Sequence, residues 1–210
     1  MKRPPRRILQ TQVAPLFPAR GPVDVFLFGE APGPLGADRS GIPFWGDRSG
    51  RLVYRALVEA GLADVPDEAW AHWSGAELSR LGVRPTLRRA ALSNAYPSCP
   101  TKDLRSFCAP SNAQLKHPQN LARIGAELAR AAKRSSRTLT VIALGRRSQL
   151  LFDAIAKQPG APELILHALP HPSAQALLST APRNGKGLRL ADLQAKWLAA
   201  LMRRLAEATR

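Results

Sequence analysis

The chain has 210 residues, 45% of them hydrophobic and 22% charged, a composition that excludes both a wholly disordered chain and a fibrous repeat. Its 31 lysines and arginines against 15 acidic residues leave a formal net charge of +16, so we expect a polyanionic partner such as nucleic acid. No apolar run is long enough to cross a bilayer, and the basic first residues lack the apolar stretch of a signal peptide. We therefore expect a cytoplasmic protein without membrane contact.

The first twenty residues differ in composition from the rest of the chain. They carry five lysines and arginines, four prolines and no acidic residue, which predicts a basic, flexible arm over residues 1–20. The remaining residues, 21–210, have the length of a single domain. The two cysteines, Cys99 and Cys108, supply neither a disulfide framework nor, alone, a four-ligand metal site, so this domain is expected to fold without either.

Short apolar runs alternate with amphipathic segments along this domain. The runs, each followed by glycine, proline or a polar loop, predict buried strands at 23–28, 88–93, 139–144 and 164–169. Helical spacing of apolar residues predicts helices at 49–60, 69–81, 121–133, 146–157 and 190–208. The alternation is typical of an α/β fold, a three-layer α/β/α sandwich with a central four-stranded parallel sheet.

Ligand sites of such folds lie beyond the carboxyl ends of the strands, which makes three loops candidates. The first, residues 29–47, is rich in glycine and proline but contains no phosphate-binding or dinucleotide-binding glycine motif. Its Phe44 either offers a flat surface for a base or caps the core. Asn94 either reads a base edge with its donor and acceptor or forms a turn. His171 follows the fourth strand, where an imidazole can donate to a developing anion.

Taken in order, these loops resemble the motifs of the uracil-DNA glycosylase superfamily. Gly29-Glu30-Ala31-Pro32-Gly33 matches the first motif of the family-4 enzymes, and the stretch 36–50 is similar in spacing to family 5. Residues 93–100 are similar to the asparagine motif, 141–145 to the third strand, and His171-Pro172-Ser173 to the final motif. The resemblance runs from about residue 23 to residue 205 and is most specific in the first loop.

The resemblance implies a DNA repair glycosylase that flips uracil out of DNA and hydrolyses its N-glycosidic bond, leaving an abasic site. In that reaction Phe44 would stack on the base and Asn94 would read its Watson–Crick edge. The backbone around Gly29 and Ala31, together with His171, would stabilise the charge that develops on the uracil oxygens.

Two acidic residues compete for the role of activating water. Asp47 looks like the catalytic aspartate of family 5, and we favour it; read locally, it is an N-terminal cap of the following helix. Glu30, which belongs to the family-4 motif, is the second candidate. The expected DNA contacts are phosphate binding by Ser49 and Ser173. One of Leu177, Leu178 or Arg183 is expected to insert into the gap that the flipped base leaves.

The sequence departs from families 4 and 5 at their iron–sulfur cluster, which those families hold on four cysteines. Here the N-terminal pair is absent, only Cys99 is clearly in place, and His117 falls near the expected last ligand. We therefore expect no cluster, no other metal and no cofactor, with the basic arm or added packing holding that region.

Two alternative functions remain open beside uracil excision. The chain either removes another deaminated base, such as hypoxanthine or xanthine, or binds DNA without catalysis. The combination of Phe44, Asn94, His171 and two acidic residues favours a catalyst, because a scaffold does not need them together. We expect the protein to act as a monomer.

Overall fold

The computed structural model describes residues 7–156 and 161–210 of the chain. Within that part, the strands are β1 (Val23–Gly29), β2 (Ala63–Asp64), β3 (Thr86–Leu87), β4 (Arg89–Asn94), β5 (Leu139–Leu144) and β6 (Leu164–Leu169). The long strands form one parallel sheet in the order β4-β1-β5-β6, and β2 pairs with β3 as a small antiparallel ribbon. The four-stranded parallel sheet predicted from the sequence is confirmed.

The helices of the described residues cover both faces of this sheet. They are α1 (Ala37–Ser40), α2 (Arg48–Glu59), α3 (Asp67–Ala71), α4 (Gly75–Leu81), α5 (Asn112–Lys116), α6 (Pro118–Ala132), α7 (Arg146–Ile155), α8 (Ala174–Thr180) and α9 (Leu190–Thr209), with a short 3₁₀ turn at Pro182–Gly185. None of the helices described here is both long and apolar enough to cross a membrane.

Strand β1 lies at the centre of the molecule and is buried along its whole length. Val25 and Leu27 pack with α2 and α9 on one face, whereas Phe26 and Phe28 pack with α6 and α7 on the other. Burial on both faces explains why the strand reads as a continuous apolar run rather than an alternating one. These two cores, one on each side of the sheet, give the predicted three-layer α/β/α sandwich.

The structure divides one of the predicted helices, and the end of another lies outside the described residues. The helix predicted at 69–81 is divided into α3 and α4, because the chain turns between them at residues 72–74. The helix predicted at 146–157 is described only as far as Ile155, and Lys157 lies outside the described residues.

The N-terminal segment is packed on the domain, so the prediction of a flexible arm over residues 1–20 is wrong for its described part. Ile8 and Val13 are each only 2% exposed. Leu16 exchanges two backbone hydrogen bonds with Leu92 of β4, of 2.8 and 2.9 Å, and so covers the outer edge of the sheet. The basic composition of this segment concealed its few apolar anchors; residues 1–6 of the predicted arm lie outside the described residues.

Candidate active site

A cavity of about 790 Å³ opens beyond the carboxyl ends of the parallel strands. It is bounded by the loop after β1, the end of β4, the loop at residues 107–109 and the segment from Pro170 to Thr180. The cavity brings together most of the residues that the sequence singled out: Glu30, Ala31, Phe44, Asp47, Ser49, Asn94, His171 and Ser173. The location agrees with the general rule for open parallel sheets.

Phe44 and Asn94 both line this cavity, and we call the space between them, next to Gly29, the slot. A Cβ atom on Gly29 would lie 2.8 Å from both the Asn94 Oδ1 and the Phe44 Cζ, so only glycine leaves the slot open. Phe44 has a left-handed backbone with φ of 63°, an uncommon conformation for an aromatic residue. Its carbonyl packs against Gly50 so closely that a Cβ there would lie 1.7 Å from the oxygen. Phe44 is therefore fixed in place and is both a core residue and a wall of the slot.

Asn94 ends strand β4 and contributes a buried amide to the slot. Its residue is 2% exposed, and within the described part of the chain its Nδ2 finds no hydrogen-bond partner. An unsatisfied buried donor costs about 1–3 kcal/mol, so such groups call for an explanation. Asn94 pairs in register with Gly29 of β1, which shows that it belongs to the sheet rather than to a turn.

A buried polar network on α6 holds the backbone on either side of this amide. Arg123 donates from Nη2 to the carbonyls of Asn94, at 2.9 Å, and Ala95, at 3.2 Å. Glu127 accepts from Arg123 and, at 2.7 Å, from the Ser93 hydroxyl. Burial raises the pKa of Glu127, and the charge of Arg123 opposes this effect. These residues were not predicted from the sequence, although charged side chains on the inward face of an amphipathic helix are a signal for such a network.

Asp47 turns its carboxylate toward the glycine-rich loop rather than toward the helix that follows it. It occupies the N-cap position of α2 but makes no side-chain capping bond. Its Oδ2 accepts from the Ala37 N–H at 3.2 Å, and a Cβ on Gly33 or Gly36 would collide with the carboxylate. The Trp73 indole donates to the Asp47 carbonyl at 2.7 Å and fixes the backbone.

Burial raises the pKa of Asp47 to about 6. The backbone amides of Ala37, Gly36 and Gly33 oppose this effect, and the charge of Asp38 adds to it. A carboxylate with such a pKa, on the wall of a cavity, is a candidate general base near neutral pH.

Glu30 has a different environment, although it also borders the cavity. Its Oε1 accepts from the Arg147 N–H at 2.9 Å and packs against Gly145, which has a left-handed φ of 102°. The side chain thus satisfies an open backbone amide at the start of α7. The two candidate acids are therefore distinguished by what their oxygens contact: a helix terminus for Glu30 and the glycine-rich loop for Asp47.

His171 lines the cavity after strand β6. Its Nδ1 accepts from the Ser173 N–H at 3.2 Å, an arrangement that puts the ring proton on Nε2. Burial lowers the pKa of His171, with the nearby Glu30 acting in the opposite direction. Ser173 caps α8, since its hydroxyl accepts from the Ala176 N–H.

Two of the predicted DNA-contacting residues lie away from the cavity. Leu177 is 5% exposed and packed in the core, so the prediction that it wedges into DNA is wrong for this conformation. Arg183 borders a separate cavity of about 360 Å³. Two further residues at the cavity were not predicted from the sequence: Phe107, which is 49% exposed at the cavity wall, and Arg146, an exposed cation after β5.

The residues present do not fit an iron–sulfur cluster, which takes four thiolate ligands in the related families. The chain has two cysteines, and the described residues contain no group of three or more histidines, cysteines or acids placed to hold a metal ion. Burial raises the pKa of the Cys99 thiol to about 12, which disfavours the thiolate that a metal requires.

The fold and the cavity together define a doubly wound α/β protein whose site joins an aromatic slot, a buried amide and a carboxylate. The model of the uracil DNA glycosylase superfamily matches residues 17–194, and the chain belongs to that superfamily. The family resemblance identified from the motifs is thereby confirmed.

Curated relatives match a shorter part of the chain. A type-5 uracil-DNA glycosylase of Thermus thermophilus is 41% identical over 86 residues, which is 40% of this chain and 36% of the relative. Type-5 uracil-DNA glycosylases of Mycobacterium bovis and Mycobacterium tuberculosis are each 36% identical over 86 residues, which is 41% of this chain and 30% of each relative. The alignments thus span about a third of the length of these relatives.

Proposed function

We propose that this chain excises uracil from DNA by hydrolysing the bond between the base and deoxyribose. The observation that carries the proposal is the Asn94 Nδ2, which is buried beside Phe44 in the slot and finds no partner among the described residues. A flat ligand that stacks on Phe44 and presents an acceptor oxygen would satisfy this amide. Uracil carries such an oxygen, O4, where cytosine carries an amino donor, so the amide would select between them.

The reaction breaks the bond between C1′ of the sugar and N1 of uracil. The bonding electrons leave with the base, which becomes an anion with charge on O2, while the sugar becomes oxocarbenium-like. His171 supports this step because its Nε2 carries the proton and can donate to the anion. A donor already in place needs no reorganisation as the charge develops.

Asp47 is the residue that we assign to the water molecule. The ionised carboxylate orients water toward C1′, stabilises the sugar cation and accepts the proton that water loses as its oxygen bonds to carbon. Its position on the cavity wall and the raised pKa support this assignment. Glu30 is the second candidate, but its Oε1 is already engaged by the Arg147 N–H.

DNA binding follows from the charge of the chain and from the rim of the cavity. The formal net charge of +16 favours a polyanion, and Arg146, Ser49 and Ser173 border the cavity where phosphates of a flipped nucleotide would pass. Because Leu177 is buried, we assign contact with the base stack to the exposed ring of Phe107 instead. Such a ring can stack on a neighbouring base or fill the gap left by the flipped one.

Labelled oligonucleotides containing uracil, thymine, hypoxanthine or xanthine test the proposal. We expect free uracil and alkali-labile abasic sites from the uracil substrate, and a loss of both in Asn94→Asp. Preferential release of hypoxanthine or xanthine would replace uracil by another deaminated base, and binding without release of any base would make the chain a DNA-binding homologue. A monomeric state and a cytoplasmic location remain predictions; gel filtration and cell fractionation test them.

A further inference from the structure

Asp38 is a fully buried carboxylate whose two oxygens are both taken by the N-terminal segment. Its Oδ2 accepts from the Leu9 N–H at 2.8 Å, and its Oδ1 accepts from the Thr11 N–H at 2.9 Å. Each oxygen therefore binds one backbone amide of a segment 27–29 residues earlier in the chain. Bonds from backbone amides to an ionised carboxylate are among the strong hydrogen bonds in proteins.

The backbone at Gln10 makes this double contact possible. Gln10 has a left-handed φ of 56°, and its side chain is exposed. A left-handed residue within a short run directs neighbouring N–H groups to one point, an arrangement known to bind anions. Here the anion is the Asp38 carboxylate. We call the contact between Asp38 and the Leu9–Thr11 backbone the N-terminal clamp.

The N-terminal clamp is tied at both sides to the loop that follows Asn94. The Ile8 N–H donates to the Leu104 carbonyl at 2.7 Å, and the Val13 N–H donates to the Pro97 carbonyl at 2.8 Å. Both residues also bury their side chains. The segment is thus a fixed part of the structure, and it joins the loop after β4 to the loop after β1.

Asp38 is adjacent in sequence to the residue that holds Asp47. The Ala37 N–H donates to the Asp47 carboxylate, and the Asp38 N–H donates to the Gly33 carbonyl at 3.1 Å. Any movement of Asp38 therefore moves the amide against which the Asp47 carboxylate rests. We propose that the N-terminal clamp positions Asp47 for the reaction, so that Asp38 and the Leu9–Thr11 backbone are positioning elements of the active site.

The proposal rests on the proposed function, since Asp47 is the water-activating group there. The segment lacks the cysteine pair that the family resemblance implies, and two backbone amides bound to one buried carboxylate fix its position instead.

Substitutions at Gln10 test the clamp without removing any of its bonding atoms. Gln10→Gly retains the left-handed backbone at no steric cost, whereas Gln10→Val disfavours it because a β-branched residue rarely adopts positive φ. We expect Gln10→Gly to keep the wild-type rate and Gln10→Val to lower the single-turnover rate about tenfold, with DNA affinity changed less than about twofold. Asp38→Ala removes the acceptor altogether and should lower the rate at least as much.

A buried aspartate remote from the cavity provides the matched control. Asp24, at the amino end of β1, is as buried as Asp38 and pairs with Arg89 at 2.6 Å. Asp24→Asn should reduce stability while leaving the single-turnover rate of the folded protein unchanged. If Asp24→Asn slows the reaction as much as Asp38→Ala does, general destabilisation explains the loss and the proposal is refuted.

A second arm tests whether the clamp acts through Asp47. Adding Asp38→Ala to Asp47→Asn should cause little further loss of rate, because the group being positioned is already gone. Full additivity of the two losses overturns the proposal.

Hydrogen exchange separates the clamp from the proposed function. Asp38→Ala should speed exchange at the Leu9 and Thr11 amides and also at the Ala37 amide. This result would support the clamp even if the wild-type chain released no uracil, an outcome that would refute only the proposed function. Unchanged exchange at Ala37, with Leu9 and Thr11 released, would show that the clamp does not reach the Asp47 loop.

Discussion

The pH dependence of base release gives the sharpest test of Asp47. With a pKa of about 6, the carboxylate is about 90% ionised at pH 7 and about 10% ionised at pH 5. If only the ionised form orients water, the single-turnover rate falls about tenfold between these pH values. A carboxylate with the usual Asp pKa of about 3.9 would remain almost fully ionised at pH 5, and the rate would then change little.

This fall in rate at low pH is the acid limb of the pH profile. It can be measured as single-turnover release of uracil from a labelled oligonucleotide, from pH 4.5 to 8 with enzyme in excess. Asp47→Asn keeps the shape of the side chain but not its charge. It should lower the rate at pH 7 by at least about 100-fold and remove the limb. His171→Gln provides the comparison: the rate should fall because the donor to the uracil anion is altered, but the acid limb near pH 6 should persist.

A wild-type rate that is flat down to pH 4.5, or an acid limb that survives in Asp47→Asn, would refute the role of Asp47. A limb that disappears in His171→Gln would assign the titration to the imidazole instead.

Asp47 also affects the stability of the folded protein. Because the folded pKa lies above the unfolded value, folding is favoured by a protonated Asp47 below about pH 4, and this contribution is lost as the pH rises through about 6. The difference between the two pKa values corresponds to about 3 kcal/mol, which chemical unfolding at pH 4 and pH 7 can measure in wild type and Asp47→Asn.

Four other predictions follow from the site. Asn94→Asp should slow uracil release at least about 100-fold, because the donor to O4 is replaced by an acceptor; a near-wild-type rate would contradict this role. Glu30→Gln should lose less than about tenfold, since the amide oxygen can still accept from the Arg147 N–H, and a 100-fold loss with Asp47→Asn unaffected would exchange the two assignments. Phe107→Ala should weaken DNA binding about tenfold by loss of stacking, whereas Phe107→Tyr should retain binding; equal affinities of the two variants would remove Phe107 from the interface. Affinity for DNA should fall steeply between about 50 and 200 mM salt, and a flat dependence would argue against phosphate contacts as the main source of binding.

Much of the fold could be predicted because each long strand has a local sequence signal. Residues 23–28 are apolar throughout and end at a glycine, so burial on both faces and the end of the strand are both visible in the sequence. The division of the helix predicted at 69–81 was not visible. The spacing of Trp70 and Trp73 fits one helix, but the structure breaks it at 72–74, and the Trp73 indole reaches Asp47 across the fold.

The positions of the candidate site residues were predicted better than their contacts. The order of the motifs predicted that Phe44, Asn94 and His171 lie at one edge of the sheet, and all three line the same cavity there. The sequence could not show which polar atoms remain without partners, because that depends on Arg123 and Gly29 from other elements. Composition misled in the N-terminal segment, where many basic residues conceal a few buried apolar ones.

Asp38 and Asp47 show why residue type alone does not assign a role. Both carboxylates are held by backbone amides of neighbouring loops, and each residue lies at the start of a helix, α1 for Asp38 and α2 for Asp47. Both oxygens of Asp38 accept from the N-terminal segment, and Asp38 does not line the cavity, so this carboxylate has a structural role. Asp47 accepts from the Ala37 N–H at 3.2 Å, lies beside the amides of Gly36 and Gly33, and borders the cavity, so burial raises its pKa while it can still reach water. The different roles of these two aspartates therefore follow from which of them borders the cavity, a property set by contacts between distant segments.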